Sequence, residues 1–193
     1  MNTALVLGGT GMLKGCVDDL VDQGWYVVLP CRRPQPGLGQ AARTALRRRG
    51  HVPHRARSGG QRSVEADWGQ PAELAERVAD ALGGHADLLV AWVHAAYRDE
   101  VLRAVGPLLA PRAPVVEVHD SPAISAVRGM PDPVLPDHPT QQVVLGHIRD
   151  GGRLRWLTHH ETSVGVSEAV LRALAGRAPS VHHVGVVDRY DPA

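Results

Sequence analysis

The sequence contains a single lysine, Lys14, beside 20 arginines. Any motif that needs a lysine elsewhere is therefore excluded. Because Thr10 stands four residues before Lys14, the chain has no Tyr-x-x-x-Lys pair at all. Cysteine is also scarce, and the two present, Cys16 and Cys31, form neither a disulfide framework nor a metal-binding spacing.

Strong net charge and long apolar runs are lacking as well. The formal net charge is +1 at pH 7, so overall charge does not indicate nucleic acid or a membrane surface as a partner. No apolar run is long enough to cross a bilayer and no signal peptide precedes the first predicted strand, so we expect a cytoplasmic protein. With 193 residues, 44% of them hydrophobic, the chain suits one domain, residues 1–193, with a substantial core.

The N-terminal segment has the pattern of a strand, a glycine turn and a helix. Residues 3–7 form an apolar run, residues 8–15 read GGTGMLKG, and residues 16–23 are amphipathic with helical spacing. This order is how a Rossmann-type sheet holds the pyrophosphate of a dinucleotide, because glycines let the backbone approach and a helix N-terminus attracts phosphate. The alternative is a Rossmann-like fold that binds no cofactor.

The second predicted strand, residues 25–30, is followed by Arg32 and Arg33. Roughly twenty residues after the glycine turn, an NAD-binding domain usually carries Asp or Glu for the ribose hydroxyls. Arginines at this place favour a ribose that bears a 2′-phosphate. The sequence therefore predicts NADP(H) as the cofactor.

The rest of the chain alternates between predicted strands and helices, which indicates an α/β, three-layer, doubly wound Rossmann fold with a mainly parallel sheet. Residues 121–139 contain five prolines and predict a long functional loop. Residues 120–175 are expected to supply this substrate-side loop and a late helix. The predicted strands are 63–67, 87–94, 114–119, 141–148, 153–157 and 181–187, with a tight turn at 150–152, and the predicted helices are 41–49, 71–82, 99–109 and 162–174.

This combination resembles the short-chain dehydrogenase/reductase superfamily, and in particular its small atypical branch that begins with Gly-Gly-Thr-Gly. The chain departs from the family pattern where Lys14 replaces the third glycine and where the catalytic Tyr-Lys couple is missing. The resemblance implies contacts to the pyrophosphate from the glycine turn, at Gly8, Thr10, Gly11, Met12 and Leu13. It implies contacts to the 2′-phosphate at Arg32 and Arg33, and to the adenine at Asp67 with Trp68 beside it. For the nicotinamide ribose it implies contacts at Trp92, Val93 and His94.

Three side chains near the carboxyl ends of predicted strands are candidates for proton transfer. His94 comes first because imidazole exchanges protons near neutral pH, and Tyr97 second because a phenol can donate to a developing alkoxide. His119, followed by Asp120, is the third candidate, as an acid–base pair. The structural alternatives are a histidine that anchors the strand end, a tyrosine that packs at a helix start, and an aspartate that caps a turn.

Two further clusters have simpler explanations. His159 and His160 stand side by side and would diverge on a helix, so residues 158–161 predict a capping segment rather than a metal site. Nine arginines and no acidic residue lie between Gln23 and Val64, which raises nucleic-acid binding as an alternative. Because no aromatic residues are interleaved there, a solvated basic face is the preferred interpretation, and we expect no nucleic-acid partner.

The leading hypothesis is an NADPH-dependent reductase of a small carbonyl or imine that works without a Tyr-Lys couple. The alternatives are a non-catalytic NADP(H)-sensing or regulatory protein, and an isomerase or dehydratase that uses His94 as a base. Because the chain lacks a separate substrate domain, the substrate pocket must come from the loop at 120–140, the late helix or the second subunit of a homodimer.

Overall fold

The computed structural model describes residues 1–33, 59–120, 130–151 and 153–187. Seven parallel strands form one sheet: β1 (Thr3–Leu7), β2 (Tyr26–Cys31), β3 (Gly60–Glu65), β4 (Leu88–Ala91), β5 (Val115–Asp120), β6 (Thr140–Leu145) and β9 (Ser180–Val184). Their order is β3-β2-β1-β4-β5-β6-β9. The direction of winding reverses between β1 and β4, and in open α/β sheets the crevice at such a reversal is where ligands bind.

Four helices and one hairpin complete the described part of the chain. The helices are α1 (Lys14–Asp22), α2 (Pro71–Leu82), α3 (Ala95–Val105) and α4 (His159–Leu174), with a short 3₁₀ turn at Gly106–Leu108. The hairpin pairs β7 (His147–Asp150) with β8 (Arg153–Trp156) in antiparallel register. No helix among these is both long and apolar enough to span a membrane.

The sheet is covered by helices on both faces, so the predicted three-layer Rossmann fold is confirmed. Alternate residues of β1 enter opposite cores: Val6 packs in the core under α1 and α4, and Leu5 in the core under α2 and α3. Because both faces of the strand are buried, its sequence is continuously apolar rather than alternating. The same burial explains β4, in which all four residues are inaccessible to solvent or nearly so.

Several predicted boundaries move, and one predicted strand is divided into two. The helix expected at 99–109 begins already at Ala95, and the third strand lies at Gly60–Glu65 rather than at 63–67. The expected strand 141–148 is two strands: β6 belongs to the main sheet, and β7 alone pairs with β8. Gly146 separates them, and a Cβ there would lie 2.3 Å from the carbonyl oxygen of Val186.

Two other expectations concern residues that are described only in part. The helix predicted at 41–49 lies outside the described residues. Of the loop predicted at 121–139, the described portion, 130–139, contains no helix or strand. The late helix predicted at 162–174 is α4, and it begins at His159 because Thr158 caps it.

Candidate functional site

The first glycine of the turn is fixed by the end of β4. Gly8 has a positive φ of +85°, and a Cβ there would lie 2.7 Å from the carbonyl oxygen of Trp92. The N–H of Trp92 in turn donates to the carbonyl oxygen of Leu7 at 3.0 Å. Gly8 and Trp92, both predicted cofactor residues, are thereby brought together at the winding reversal of the sheet. Val93, the next predicted residue, turns its side chain into the core, so only its backbone faces the crevice.

The following glycines serve different purposes. A Cβ on Gly9 would lie 2.7 Å from the Leu29 side chain, so this glycine allows the turn to pack on the sheet. Gly11 is exposed, and its Cβ position has no other atom within 4 Å, which leaves space for a ligand. Within the described residues, the backbone N–H groups of Gly11, Met12 and Leu13 donate to no protein acceptor. These donors at the start of α1 suit an anionic group.

The remaining members of the turn contribute in different ways. Thr10 is exposed beside Gly11, whereas the Leu13 side chain is fully buried, so that only its backbone is available to a ligand. Lys14 lies on the exposed first turn of α1, where its Nζ is 2.5 Å from Asp18 Oδ2. The close-packing glycine is Gly15 instead: a Cβ there would lie 2.8 Å from the Cβ of Ser163 in α4.

Ser163 is a site residue that the sequence analysis missed. Its Oγ donates to the carbonyl oxygen of Met12 at 2.8 Å and accepts from the N–H of Gly15 at 3.2 Å. Ser163 is 151 positions from Met12 and 148 positions from Gly15 in the sequence. No local pattern around Ser163 could have indicated this contact.

A cavity of about 340 Å³ lies at the carboxyl ends of β2 and β3. It brings together Arg32 and Asp67, two of the residues predicted for the adenosine side of the cofactor, and adds Arg77 of α2, which was not predicted. The guanidinium of Arg77 donates to the Glu65 carbonyl oxygen at 3.1 Å and to Glu73 Oε1 at 2.5 Å. The lining residues are Arg32, Glu65, Ala66, Asp67, Gln70, Glu73, Leu74 and Arg77.

Two predicted neighbours of this cavity do not line it. Arg33 is exposed and absent from the wall, and Trp68 is half-buried against the core under α2 and α3. Asp67 also has a structural role, since its Oδ1 accepts from the N–H of Gly69 at 3.0 Å in the turn that leads into α2. Three carboxylates and two guanidiniums share the cavity wall, so Arg32 and Arg77 are its cationic groups.

His94 and Tyr97 lie together at the start of α3. His94 caps this helix: its Nδ1 accepts from the N–H of Ala96 at 3.3 Å. The anchoring role considered for this histidine is therefore present. Because Nδ1 is an acceptor, the neutral ring carries its proton on Nε2. Both side chains are exposed, and their ring centroids are 6.3 Å apart.

Unlike His94 and Tyr97, the third candidate, His119, is buried. Its Nε2 lies 3.6 Å from Glu117 Oε2 and has no hydrogen-bond partner among the described residues. The carboxylate beside this nitrogen is that of Glu117, and no hydrogen bond joins the two. Burial, together with the nearby Arg98 guanidinium, lowers the pKa of His119 from 6.5 to about 4. At neutral pH this imidazole holds no extra proton to donate.

Glu117 and Arg98 fasten the segment that precedes β6. The Glu117 carboxylate accepts from the Arg98 guanidinium and, at 3.0 Å, from the N–H of Val134. Arg98 also donates to the Asp132 carbonyl oxygen at 3.3 Å, and the Gln142 side chain donates to the Pro131 carbonyl oxygen at 2.8 Å. The described end of the predicted substrate-side loop is therefore bound to β5, β6 and α3.

The late helix begins with the predicted capping segment. The Thr158 hydroxyl accepts from the N–H of Glu161, and the Glu161 carboxylate accepts from the N–H of Thr158. Arg155 adds two bonds to the same carboxylate at 2.8 Å each and lowers the pKa of Glu161. His159 and His160 are exposed, and in the described ranges no three His, Cys, Asp or Glu side chains are arranged to hold a metal ion.

A second cavity, of about 360 Å³, lies where α4 meets the hairpin and β9. Its wall is largely apolar, with Leu157 and Val164 on one side and Val184 on the other, and with His160 and His183 among its polar groups. The late helix therefore contributes to a cavity.

Comparison with known proteins establishes the fold. A carbonyl reductase from Pseudomonas aeruginosa PAO1 is similar at a TM-score of 0.59 and 20% identity, over 100% of this chain and 99% of that chain. A structure of that reductase in complex with NADP gives a TM-score of 0.57 over the same shares of the chains, also at 20% identity. A short-chain dehydrogenase/reductase from Serratia marcescens BCRC 10948 gives 0.57 at 12% identity, over 96% of each chain. The fold is that of the short-chain dehydrogenases/reductases.

No protein-family model and no curated protein sequence matches this chain. The short-chain dehydrogenase/reductase fold that the glycine turn implied is confirmed through structure alone. In this fold the glycine turn, the end of β4 and the cavity at β2 and β3 lie along one edge of the sheet, the carboxyl edge, where ligands of open α/β sheets bind.

Proposed function

We propose that this protein binds NADP(H) and reduces a small carbonyl or imine substrate with NADPH. The observation that carries the proposal is the geometry around Gly11, where open space adjoins backbone donors at the N-terminus of α1. The solved P. aeruginosa neighbour with this fold is a carbonyl reductase captured with NADP, which supports the same class of ligand and reaction.

The residues present fit a phosphorylated dinucleotide. The N–H groups of Gly11, Met12 and Leu13 would bind the pyrophosphate, since they are donors with no protein partner in the described residues. Arg32 would bind the 2′-phosphate in the cavity that it shares with Arg77. When bound, NADPH supplies the hydride, and the protein has to orient it and complete the reduction with a proton.

His94 is the residue we assign to proton donation. Reduction of a carbonyl or imine leaves negative charge on oxygen or nitrogen, which a positioned acid neutralises. The donor has to be the imidazolium, because the N–H of a neutral imidazole is a very weak acid. Protonation of Nδ1 would release the capping bond from the Ala96 N–H, and the Nε2–H of this exposed ring at the end of β4 would then pass its proton to the substrate. Tyr97 is the second donor, through its exposed phenol. His119 is buried and neutral, so it comes last.

The test measures binding first and turnover second. Calorimetry with NADPH and NADH should show NADPH bound at least roughly tenfold more tightly, a difference of about 1.4 kcal/mol. NADPH oxidation is then followed across a panel of small carbonyl and imine compounds. Absence of NADPH binding to the folded protein would overturn the proposal.

A non-catalytic NADP(H) sensor is the second candidate, and one observation favours it. The chain has no Tyr-Lys couple, and His94, the first replacement for it, is already engaged as the cap of α3. A sensor would bind NADPH with the same preference but would oxidise it with no member of the panel. The two measurements in sequence therefore distinguish the two functions.

A further inference from the structure

We propose that Ser163, on α4, is a positioning residue that orients the glycine turn for the pyrophosphate of the cofactor. This inference rests on the proposed binding of NADP(H). It assigns a role in ligand binding to α4, a helix far from the glycine turn in sequence whose Ser163 hydroxyl bonds to that turn.

The hydroxyl bridges the two sides of Leu13. It donates to the carbonyl oxygen of Met12 on one side and accepts from the N–H of Gly15 on the other. Ser163 is only 5% exposed, so water does not compete freely for either bond. The turn and the first turn of α1 are therefore held by a single buried atom.

This bond sets the direction of one particular backbone donor. A trans peptide is planar, so the carbonyl of Met12 and the N–H of Leu13 point in opposite directions. Because the Met12 carbonyl points to Ser163, the Leu13 N–H points away from α4, and it donates to no acceptor in the described chain. Loss of the serine hydroxyl would free this peptide to rotate and would leave the half-buried Met12 carbonyl without this partner.

The position of Ser163 is itself strongly determined. The capping box of Thr158 and Glu161 fixes the first turn of α4, one residue before Ser163. On the opposite side, only a glycine fits at residue 15, because a Cβ there would lie 2.8 Å from the serine Cβ and 2.9 Å from its Oγ. The hydroxyl is thus held at a defined place, as a positioning group requires.

The same helix offers a matched control. Ser167 lies one turn further along α4, and its Oγ donates to Asp19 Oδ2 of α1 at 2.8 Å. The variants Ser163→Ala and Ser167→Ala therefore each remove one α4 hydroxyl that bonds across to α1 or its preceding turn, but only Ser163→Ala removes a bond to the glycine turn. Thermal denaturation of both variants records any general loosening of the helix pair.

Two ligands separate positioning from general damage. NADPH needs the pyrophosphate site, whereas 2′-AMP carries the adenosine 2′-phosphate and has no pyrophosphate. We expect Ser163→Ala to weaken NADPH binding about tenfold in calorimetry and to leave 2′-AMP affinity unchanged. Ser167→Ala should change neither affinity. If Ser163→Ala does not fold, Ser163→Cys, whose thiol bonds more weakly, should show the same selective loss at smaller size.

Unchanged NADPH affinity in the folded Ser163 variant would overturn the inference, and so would an equal loss for both ligands. A wild-type protein that binds neither ligand would overturn the proposed function itself. That outcome is visible before any variant is made, so the two failures are distinguishable.

Discussion

The carboxylate of Glu117 is 1% exposed and accepts a hydrogen bond from the guanidinium of Arg98 across the space between β5 and α3. The same carboxylate holds the N–H of Val134, so one buried anion connects the sheet, a helix and the segment that leads into β6. A carboxylate in this position is stable only while its partners are present, because an unpaired buried charge is very costly.

Breaking this ion pair from one side should strongly destabilise the protein. We expect Arg98→Met, which leaves the Glu117 charge buried without its cation, to lower the free energy of unfolding by about 3–5 kcal/mol. The double variant Arg98→Met with Glu117→Gln should lose less, since it removes both charges. Urea denaturation of the three proteins measures the difference. A single variant as stable as wild type would show that the pair does not hold this region.

His119 should make the protein sensitive to mildly acidic pH. Its pKa is lowered from 6.5 to about 4 in the folded state by burial and by Arg98, so between these values the unfolded chain binds a proton that the folded protein rejects. The contribution of His119 to stability is therefore complete above pH 6.5, is lost as the pH falls and has been fully lost below about 4. The total loss is on the order of 3 kcal/mol.

His119→Gln removes this titration and leaves Glu117 and Arg98 in place. The expected result is a shallower loss of unfolding free energy between pH 6.5 and 4 than in wild type, with both measured by urea denaturation at intervals across that range. Parallel curves for the two proteins would contradict the assigned pKa shift.

The sequence predicted well those elements whose burial or capping shows in the pattern of neighbouring residues. The runs at β1 and β4 are apolar throughout because both faces of each strand are covered, and the glycine turn stands directly between β1 and α1. The Thr158–Glu161 cap was predictable for the same reason, since its two partners are three residues apart. Arg32 and Asp67 also converge on one cavity, as their places after neighbouring strands suggested.

The features that the sequence did not predict depend on distant contacts. The strand expected at 141–148 breaks at Gly146 because the backbone of Val186 passes against it, which nothing near residue 146 reveals. Arg77 looks like an ordinary surface partner of Glu73 one helical turn away, and only the approach of β2 and β3 makes it part of a cavity. Ser163 bonds to Met12 of the glycine turn although the two residues are 151 positions apart in the sequence.

The two arginines after β2 should contribute unequally to cofactor preference. Both side chains are exposed, but Arg32 lines the cavity at the ends of β2 and β3 and Arg33 does not. A charge-assisted bond to the 2′-phosphate is worth about 1.5–3 kcal/mol. We therefore expect Arg32→Ala to reduce the preference for NADPH over NADH by roughly ten- to hundredfold, and Arg33→Ala to reduce it less.

The double variant Arg32→Ala with Arg33→Ala should abolish the preference altogether. Calorimetric titration of each variant with both dinucleotides gives the ratio of affinities directly. Equal affinities for NADPH and NADH in the unmutated protein would remove the basis of this prediction.

Gly11→Val should block the cofactor without damaging the fold. The Cβ position of Gly11 faces open space and its φ is not positive, so the Cβ of valine meets no protein atom there and the side chain occupies space beside the pyrophosphate donors. Gly84→Val is the matched control, since Gly84 also has open space and lies in the turn after α2. We expect the first variant to lose NADPH binding and the second to retain it, at similar melting temperatures. NADPH affinity that survives in Gly11→Val would place the cofactor elsewhere.

The last prediction separates the two roles of His94. As the cap of α3, the neutral ring accepts from the N–H of Ala96 through Nδ1, whereas as a proton donor the imidazolium would act through Nε2. Asparagine is a good N-cap but exchanges no proton near neutral pH, so His94→Asn removes the second role and keeps the first. His94→Ala removes both and should also cost about 1 kcal/mol of stability.

General acid catalysis is typically worth about 10²–10⁴-fold in rate, so both His94 variants should lose turnover by that factor on an identified substrate while NADPH affinity changes little. Tyr97→Phe should lose less, because the phenol is the second donor. Turnover that falls in His94→Ala but not in His94→Asn would assign the histidine to capping alone. If Tyr97→Phe then showed the larger loss of turnover, the proton would come from the phenol. If all three variants kept normal turnover, neither His94 nor Tyr97 would be the donor.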